Sequence, residues 1–370
     1  STFMTSTNFM NDYEINTYDY KQPKYNFFSM LPNIGYNPDD GLKIGLSPTY
    51  TVNGFDRKPY SQRHNLQLNY FFATGGVEAK YKGTFIKALG KWNMELNGMY
   101  TSPTFSTNYF GLGNETLNNQ EQLGMDYNRV RLESYSFGPS IYKIMNNNGR
   151  LDFSAIYSYK KIEENLDRIV ADVPINRDVF KGQHFGEIGA KYVFKNYDNE
   201  SLPKLGMTFL ANAKWISNLT EFERNNFYTE LNLGFTHKIS ANGRLTLASM
   251  LKGKAVFGHF MEFYQMANLG GDQDLRGYRL GRFAGDKVFL QTSDLRFDAL
   301  KFKAVVPMRL GMFVGADYGR VWLNGEDSNK WHSSMGGGIW INGAETITAS
   351  VSYFKGEDPG RIVFGLNFGF

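Results

Sequence analysis

Along most of this chain, apolar and polar residues alternate with a period of two. Leu66, Leu68, Tyr70 and Phe72 alternate with Asn65, Gln67 and Asn69. Leu205, Met207, Phe209, Ala211, Ala213 and Trp215 alternate with Gly206, Thr208, Asn212 and Lys214. Phe227, Leu231, Leu233 and Phe235 are set against Tyr228, Glu230, Asn232, Gly234 and Thr236. The chain ends on Ile362, Phe364, Leu366, Phe368 and Phe370, between Arg361, Gly365, Asn367 and Gly369. A pleated strand sends successive side chains to opposite faces, so each run puts one face in an apolar medium and the other in a polar one. No long segment carries the 3.6-residue period and caps of a helix.

Strand length narrows the class. The alternating runs are mostly about 11–16 residues long, whereas soluble strands average about 5–6 and membrane-crossing strands need about 9–11. The pattern predicts sixteen strands, at 25–37, 41–55, 61–73, 76–87, 90–101, 126–144, 149–162, 184–196, 203–217, 226–239, 242–257, 286–299, 302–323, 330–342, 344–355 and 360–370. Connections two, four, six, ten, twelve and fourteen are short: Asp56 to Tyr60, Ala88-Leu89, Met145 to Asn148, Ser240-Ala241, Leu300-Lys301 and Gly343. The long ones, Ser102 to Met125, Glu163 to Gln183 and Gly258 to Gly285, are the fifth, seventh and eleventh. Long loops confined to odd positions are what an up-and-down barrel with both termini on one side requires. The eighth connection, Tyr197 to Leu202, is the least tidy. A soluble sandwich or propeller would also alternate, but it needs neither strands of this length nor so many aromatics on one face.

Composition supports that class and removes others. Aromatics are 16% of the 370 residues, too many for a disordered chain. The longest uncharged run, Leu96 to Asn114, is interrupted by Asn, Gly, Ser, Thr and Pro, so no helix of about 18 apolar residues can span a bilayer. Cys is 0, which excludes a disulfide scaffold. The net charge of +4 is spread among mostly isolated Lys and Arg and gives no nucleic-acid footprint. His64, His184, His237, His259 and His332 are scattered without metal-ligand spacing. There is no Gly-x-Ser-x-Gly elbow, and no helix follows Gly270-Gly271 to make a phosphate loop. The expectation is therefore no catalytic residue, no cofactor and no metal. Residues 1–24 are polar and rich in Asn and Tyr, and read as a linker or short N-terminal segment ahead of a barrel domain at 25–370. The absence of an initiator Met and of a signal peptide suggests a chain trimmed before Ser1.

Two stretches are more specific than a generic barrel. The eleventh connection reads Leu269-Gly270-Gly271-Asp272-Gln273-Asp274-Leu275-Arg276-Gly277-Tyr278. The thirteenth strand contains Asp317-Tyr318-Gly319-Arg320-Val321-Trp322. The first resembles the loop-six signature of the BamA-type outer-membrane assembly and translocation family, the bacterial surface antigen barrels. The second resembles that family's Asp-x-Gly-x-Val-Trp strand. Phe110-Gly111-Leu112-Gly113-Asn114 and the terminal Phe370 are similar to further elements of such barrels. The family comprises outer-membrane insertases, their organellar relatives and two-partner secretion translocators, and the resemblance spans about 25–370.

The residues themselves suggest how the two stretches work. If the long eleventh connection folds back inside the barrel, Arg276 needs an anion. Asp317 sits at a polar position of the wall and can take it as a bidentate pair. Gly277 lets the loop backbone lie close to the wall, Tyr278 fills space, and Gly319 leaves room beside Asp317. Asp294, on the preceding strand, is the candidate second partner.

The resemblance implies an all-β, 16-stranded antiparallel transmembrane barrel with loop six in the lumen, in the outer membrane of a Gram-negative bacterium, with both termini periplasmic. It implies insertion or translocation of client outer-membrane or secreted proteins, among outer-membrane lipids and with periplasmic or lipoprotein partners. The seam joining Phe27–Gly35 to Val363–Phe370 is the expected working edge. Pro32 cannot donate to a ladder, and Gly365 and Gly369 weaken the last strand before Phe370. Two other readings stand beside this one. The barrel could anchor or export a lipase-like or phosphoesterase-like domain upstream, or it could be a passive channel.

Overall fold

The computed structural model describes residues 25–37, 39–54, 57–221, 223–258 and 261–368. The expected segment 1–24, His259, Gly369 and Phe370 lie outside the described residues. Sixteen long strands form the wall: β1 Phe27–Asn37, β2 Gly41–Val52, β3 Gln62–Phe71, β4 Gly76–Leu89, β5 Trp92–Thr101, β6 Arg129–Ile144, β7 Arg150–Ile162, β8 Gln183–Tyr197, β9 Gly206–Asn218, β10 Asn225–Lys238, β11 Leu245–Gly258, β12 Lys287–Lys303, β13 Pro307–Trp322, β14 His332–Gly343, β15 Ile347–Lys355 and β16 Arg361–Phe368. Each pairs antiparallel with its sequence neighbour, from β1·β2 through β15·β16. This is the up-and-down barrel that the alternation predicts.

The outer face carries side chains that water would not tolerate in such a contiguous band. Leu231, Phe257, Met312, Val314, Ile339, Phe364 and Leu366 all point outward and are exposed. Such a surface suits lipid. The inner face is polar and differs around the ring. Along β4–β9 it is a ladder of ion pairs: Lys82–Glu95 at 3.1 Å, Arg150–Glu95 at 2.9 Å, Arg150–Asp152 at 2.5 Å and Lys214–Glu187 at 2.9 Å. These line a cavity of about 910 Å³. At the long-loop ends of β11–β13 the inner face is apolar, and it is covered by residues 261–286 of the long connection. Leu269, Leu275, Tyr278 and Phe283 of that loop form one buried cluster with Val256, Val288, Leu290 and Val321 of the wall.

Most strand ends fall within three residues of expectation, and two turns are displaced. β12 runs on to Lys303 instead of turning at Leu300-Lys301, because a bulge between Asp298 and Leu300 takes up one residue and lets the ladder with β13 continue. The turn between β14 and β15 is not Gly343. It is Ala344 to Thr346, with Ala344 and Glu345 both left-handed at φ 53° and 58° and the Thr346 N–H donating to the Gly343 carbonyl at 3.0 Å. The long connections carry only single helical turns and two short ladders, Ser106–Asn108 with Arg129–Arg131 and Ala267–Leu269 with Phe283–Gly285.

The ring is almost closed. Tyr36 of β1 packs edge-on against Phe364 of β16, with ring centroids 5.6 Å apart. No β-ladder joins β1 to β16 among the described residues.

Candidate functional site

Loop six is built around two adjacent glycines and one arginine. Gly270 and Gly271 are left-handed, at φ 113° and 112°, and a Cβ on Gly270 would sit 2.4 Å from the Arg279 carbonyl oxygen. The pair therefore folds the loop back on itself. Arg276 then meets the wall. Its Nε lies 3.0 and 3.1 Å from the two Asp317 oxygens, and its Nη2 donates to Asp317 Oδ1 at 2.6 Å. Its backbone N–H donates to Asp317 Oδ2 at 3.0 Å. The Nη1 end reaches Asp294 Oδ1 on β12 at 2.8 Å. Arg296 donates to the other Asp294 oxygen at 3.1 Å. The guanidinium stacks 4.0 Å over the Phe354 ring of β15. The Asp317 side chain is 0% exposed, and its charge is compensated by four donors, the last being Ser334 Oγ at 2.8 Å. A buried carboxylate tolerates that degree of burial only when paired and hydrogen-bonded in this way.

Close approach at this site depends on missing side chains. A Cβ on Gly277 would fall 2.6 Å from Ser334 and 2.7 Å from the Gly356 nitrogen, and the Gly277 N–H donates to Ser334 Oγ at 3.1 Å. At Gly319 the tightest neighbour is the Phe289 carbonyl at 2.7 Å, with loop-six Leu269 at 3.4 Å. Leu275 and Tyr278 are fully buried. Tyr278 accepts from the Glu357 N–H at 3.0 Å.

Several participants are not among the residues singled out from sequence. Gly315 is one: a Cβ there would be 2.6 Å from Asp294 and 2.7 Å from Arg276 Nη2. Its signal was present, since it lies two residues before Asp317 on the same face. Phe354 and Ser334 carried no such signal. The motif at 110–114 docks directly beside the thirteenth strand. Asn114 donates to the Val321 carbonyl at 2.6 Å and accepts the Val321 N–H at 3.1 Å, acting as a one-residue ladder partner. Phe110 lies under the guanidinium groups of Arg279 and Arg282, at 5.3 and 5.0 Å.

A second buried ionic centre sits at the long-loop end. Asp39, in the β1–β2 turn, is 4% exposed. It accepts from loop-six Arg279 at 2.6 Å and from Arg361, the first residue of β16, at 3.0 Å. Arg129 of β6 donates to its backbone carbonyl, and Arg361 donates to the Tyr278 carbonyl. First strand, last strand and loop six are thus tied at one carboxylate. Nothing in the local sequence marks it, because Pro38-Asp39-Asp40 reads as an ordinary turn.

The seam residues are less decorated. Pro32 stands opposite Leu46 in the ladder to β2. Gly365 stands opposite Ser350, whose Oγ is 2.4 Å from where a Cβ would be. His332 is buried, stacked 3.7 Å from the Phe283 ring, and His184 bonds Tyr157 at 2.6 Å. Among the described residues no group of three acidic, His or Cys side chains could hold a metal.

The Omp85 superfamily domain model matches residues 86–353. Among solved structures, BamA from Haemophilus ducreyi lacking POTRA domains 1–3 is similar at TM-score 0.68 and 14% identity, over 93% of this chain and 70% of that one. CdiB from Escherichia coli is similar at TM-score 0.58 and 11% identity, over 94% of this chain and 64% of that one. CdiB from Acinetobacter baumannii is similar at TM-score 0.56 and 11% identity, over 94% and 60%. The chain therefore spans less than two thirds of either CdiB. No curated protein sequence matches it.

Proposed function

The chain belongs to the Omp85 superfamily, an outer-membrane β-barrel family, and on that premise we propose that it inserts or translocates client proteins at the outer membrane through the β1/β16 seam. The observation that carries the reading is the seam itself. Every other neighbouring pair of wall strands shares a ladder, whereas β1 and β16 share a ring contact without one among the described residues. An unpaired strand edge is a template for an incoming strand. Loop six supports the reading from inside. Arg276 ties β12, β13 and β15 together, so the wall beside the seam keeps its shape while the edge is used. In this reading the long loops face outward, both termini face the periplasm, and the barrel itself carries no catalysis.

The test is a crosslink across the seam. The chain has no native Cys, so a Tyr36→Cys/Phe364→Cys pair can be bridged selectively by a short thiol-reactive linker. The probe is an unfolded eight-stranded outer-membrane protein added to proteoliposomes that hold the full chain. The bridged protein should lose insertion activity. Insertion at the unbridged rate by a fully bridged protein, verified by mass, sinks the proposal.

A further inference from the structure

The β8–β9 turn, residues 198–205, does not hang free below the wall. Ser201 is 2% exposed and Leu202 is 8%, unusual for the tip of a hairpin. The turn crosses the short-turn mouth of the barrel to the opposite side. Lys204 Nζ reaches Asp298 of β12 at 2.6 Å and the Gly243 carbonyl of the β10–β11 turn at 2.9 Å. Ser201 Oγ donates to the Glu345 carbonyl at 2.7 Å and lies 3.0 Å from Asn342 Nδ2 of β14. Asn199 Nδ2 donates to the same Glu345 carbonyl at 3.0 Å. Thr348 of β15 donates to the Ser201 carbonyl at 2.7 Å. Asn367 of β16 donates to the carbonyls of Glu200 and Ser201, each at 3.0 Å. A chord from β9 to β16 spans seven strands of the ring, and it ends on the strand that borders the open seam.

Three features show that this placement is built in. Gly206 is left-handed at φ 133°, and a Cβ there would be 1.9 Å from the Asn196 carbonyl, so only glycine lets the chain leave the hairpin at this angle. The docking point is the left-handed Ala344-Glu345 turn, where two side-chain-bearing residues occupy a conformation that disfavours them. The Glu345 carbonyl takes two donors from the crossing turn. Above the crossing turn, a cavity of about 530 Å³ separates it from loop-six Arg276 and the inner face of β16. The Lys204 ion pair goes to β12; the bonds from the crossing turn to β14–β16 are neutral hydrogen bonds.

We propose that residues 198–205 form an inner latch, which narrows the short-turn mouth and pins β16 from the lumen side, so that the seam parts only after the turn withdraws. This rests on the seam reading for its purpose, though the latch itself is measurable without it. The full chain is reconstituted in planar bilayers and in detergent. One variant replaces residues 199–204 with Gly-Asn. A second is Asn367→Ala, and a third carries Ser201→Cys/Asn342→Cys bridged by a short thiol-reactive linker. The shortened turn should raise single-channel conductance several-fold. Bridging should leave conductance at or below that of the unmodified chain. Asn367→Ala should speed amide exchange at 361–368 by about tenfold, the factor that corresponds to 1.4 kcal/mol, or one to two neutral hydrogen bonds. Exchange at 225–258 should not change.

If the shortened turn folds yet conducts like the unmodified chain, and exchange at 361–368 is unmoved by Asn367→Ala, the latch is overturned. Insertion of the eight-stranded probe separates the two readings. If the seam bridge blocks insertion and the turn bridge does not, the latch falls and the seam reading stands. If the seam bridge does not block it, the seam reading falls, and conductance and exchange alone judge the latch. If both bridges block it, both are supported.

Discussion

The two ends of the last strand are fastened by different chemistry. At the long-loop end, Arg361 begins β16 and pairs with Asp39 inside a buried cluster that also holds Arg279. At the other end, Asn367 gives two neutral hydrogen bonds to the backbone of a crossing turn. Buried ions are tolerated only as a complete set, because removing one partner strands the others away from water. Neutral bonds exchange with water at a net cost of about 0.5–1.5 kcal/mol each. The first fastening is therefore all-or-none, and the second can be undone one bond at a time. On the proposed latch, release of the second fastening alone would leave the strand hinged at its long-loop end.

The largest test of that contrast is Asp39→Ala. It leaves Arg279 buried without its carboxylate and Arg361 with Asp272 alone, at 3.3 Å, and should cost about 3–5 kcal/mol. Denaturant titration, followed by the change in gel mobility when the barrel unfolds, reads this directly. A loss below about 1 kcal/mol would place Asp39 among ordinary surface ion pairs and remove the asymmetry. Ser201→Ala is the counterpart at the opposite end. It deletes one hydroxyl that serves Glu345 and Asn342, and should lower stability by only about 1 kcal/mol. A loss as large as that of Asp39→Ala would mean the two fastenings do not differ in kind.

The smallest expected effect is on pH. Burial raises the Asp198 carboxyl, but the N–H groups of Lys204 and Leu205 and the nearby Lys238 ammonium outweigh it, and the net shift is downward. A carboxylate depressed in the folded state contributes stability above its unfolded pKa of about 4, and that contribution is lost as pH falls through the folded value. The conductance difference between the unmodified and shortened-turn proteins should therefore narrow in acid and hold constant near neutrality. A difference that is flat down to the lowest pH would show that Asp198 does not hold the turn.

Sequence reading and structure agree where a local rule operates. Alternation has a period set by the pleat, so Leu66 to Phe72 and Phe227 to Phe235 declare their strands without reference to anything distant. The chemical types at 276 and 317 were equally readable, since an arginine in a confined loop needs an anion. What was not readable depends on separation. Asp39 meets Arg361 across 322 positions and Arg279 across 240, and no window of sequence contains both partners. The crossing turn was unreadable for a similar reason. Asn199, Ser201 and Pro203 are what any exposed hairpin loop contains, and only the ring closure brings Asn342, Thr348 and Asn367 to face them. β12 overran its expected end because a bulge at Asp298 to Leu300 breaks the period without breaking the ladder.

Arg276 has a mechanical meaning as well as a chemical one. It joins carboxylates on adjacent staves and lies over a ring two staves further on. An arc braced like that resists a change of radius. A change of radius is then expected to concentrate where the inner face carries ladders and salt-bridge rungs, in the short-turn half of β4–β9 beside the polar cavity. The barrel behaves less like a uniform hoop than like a bow, stiff along one limb and compliant along the other, with its free ends meeting at β1 and β16.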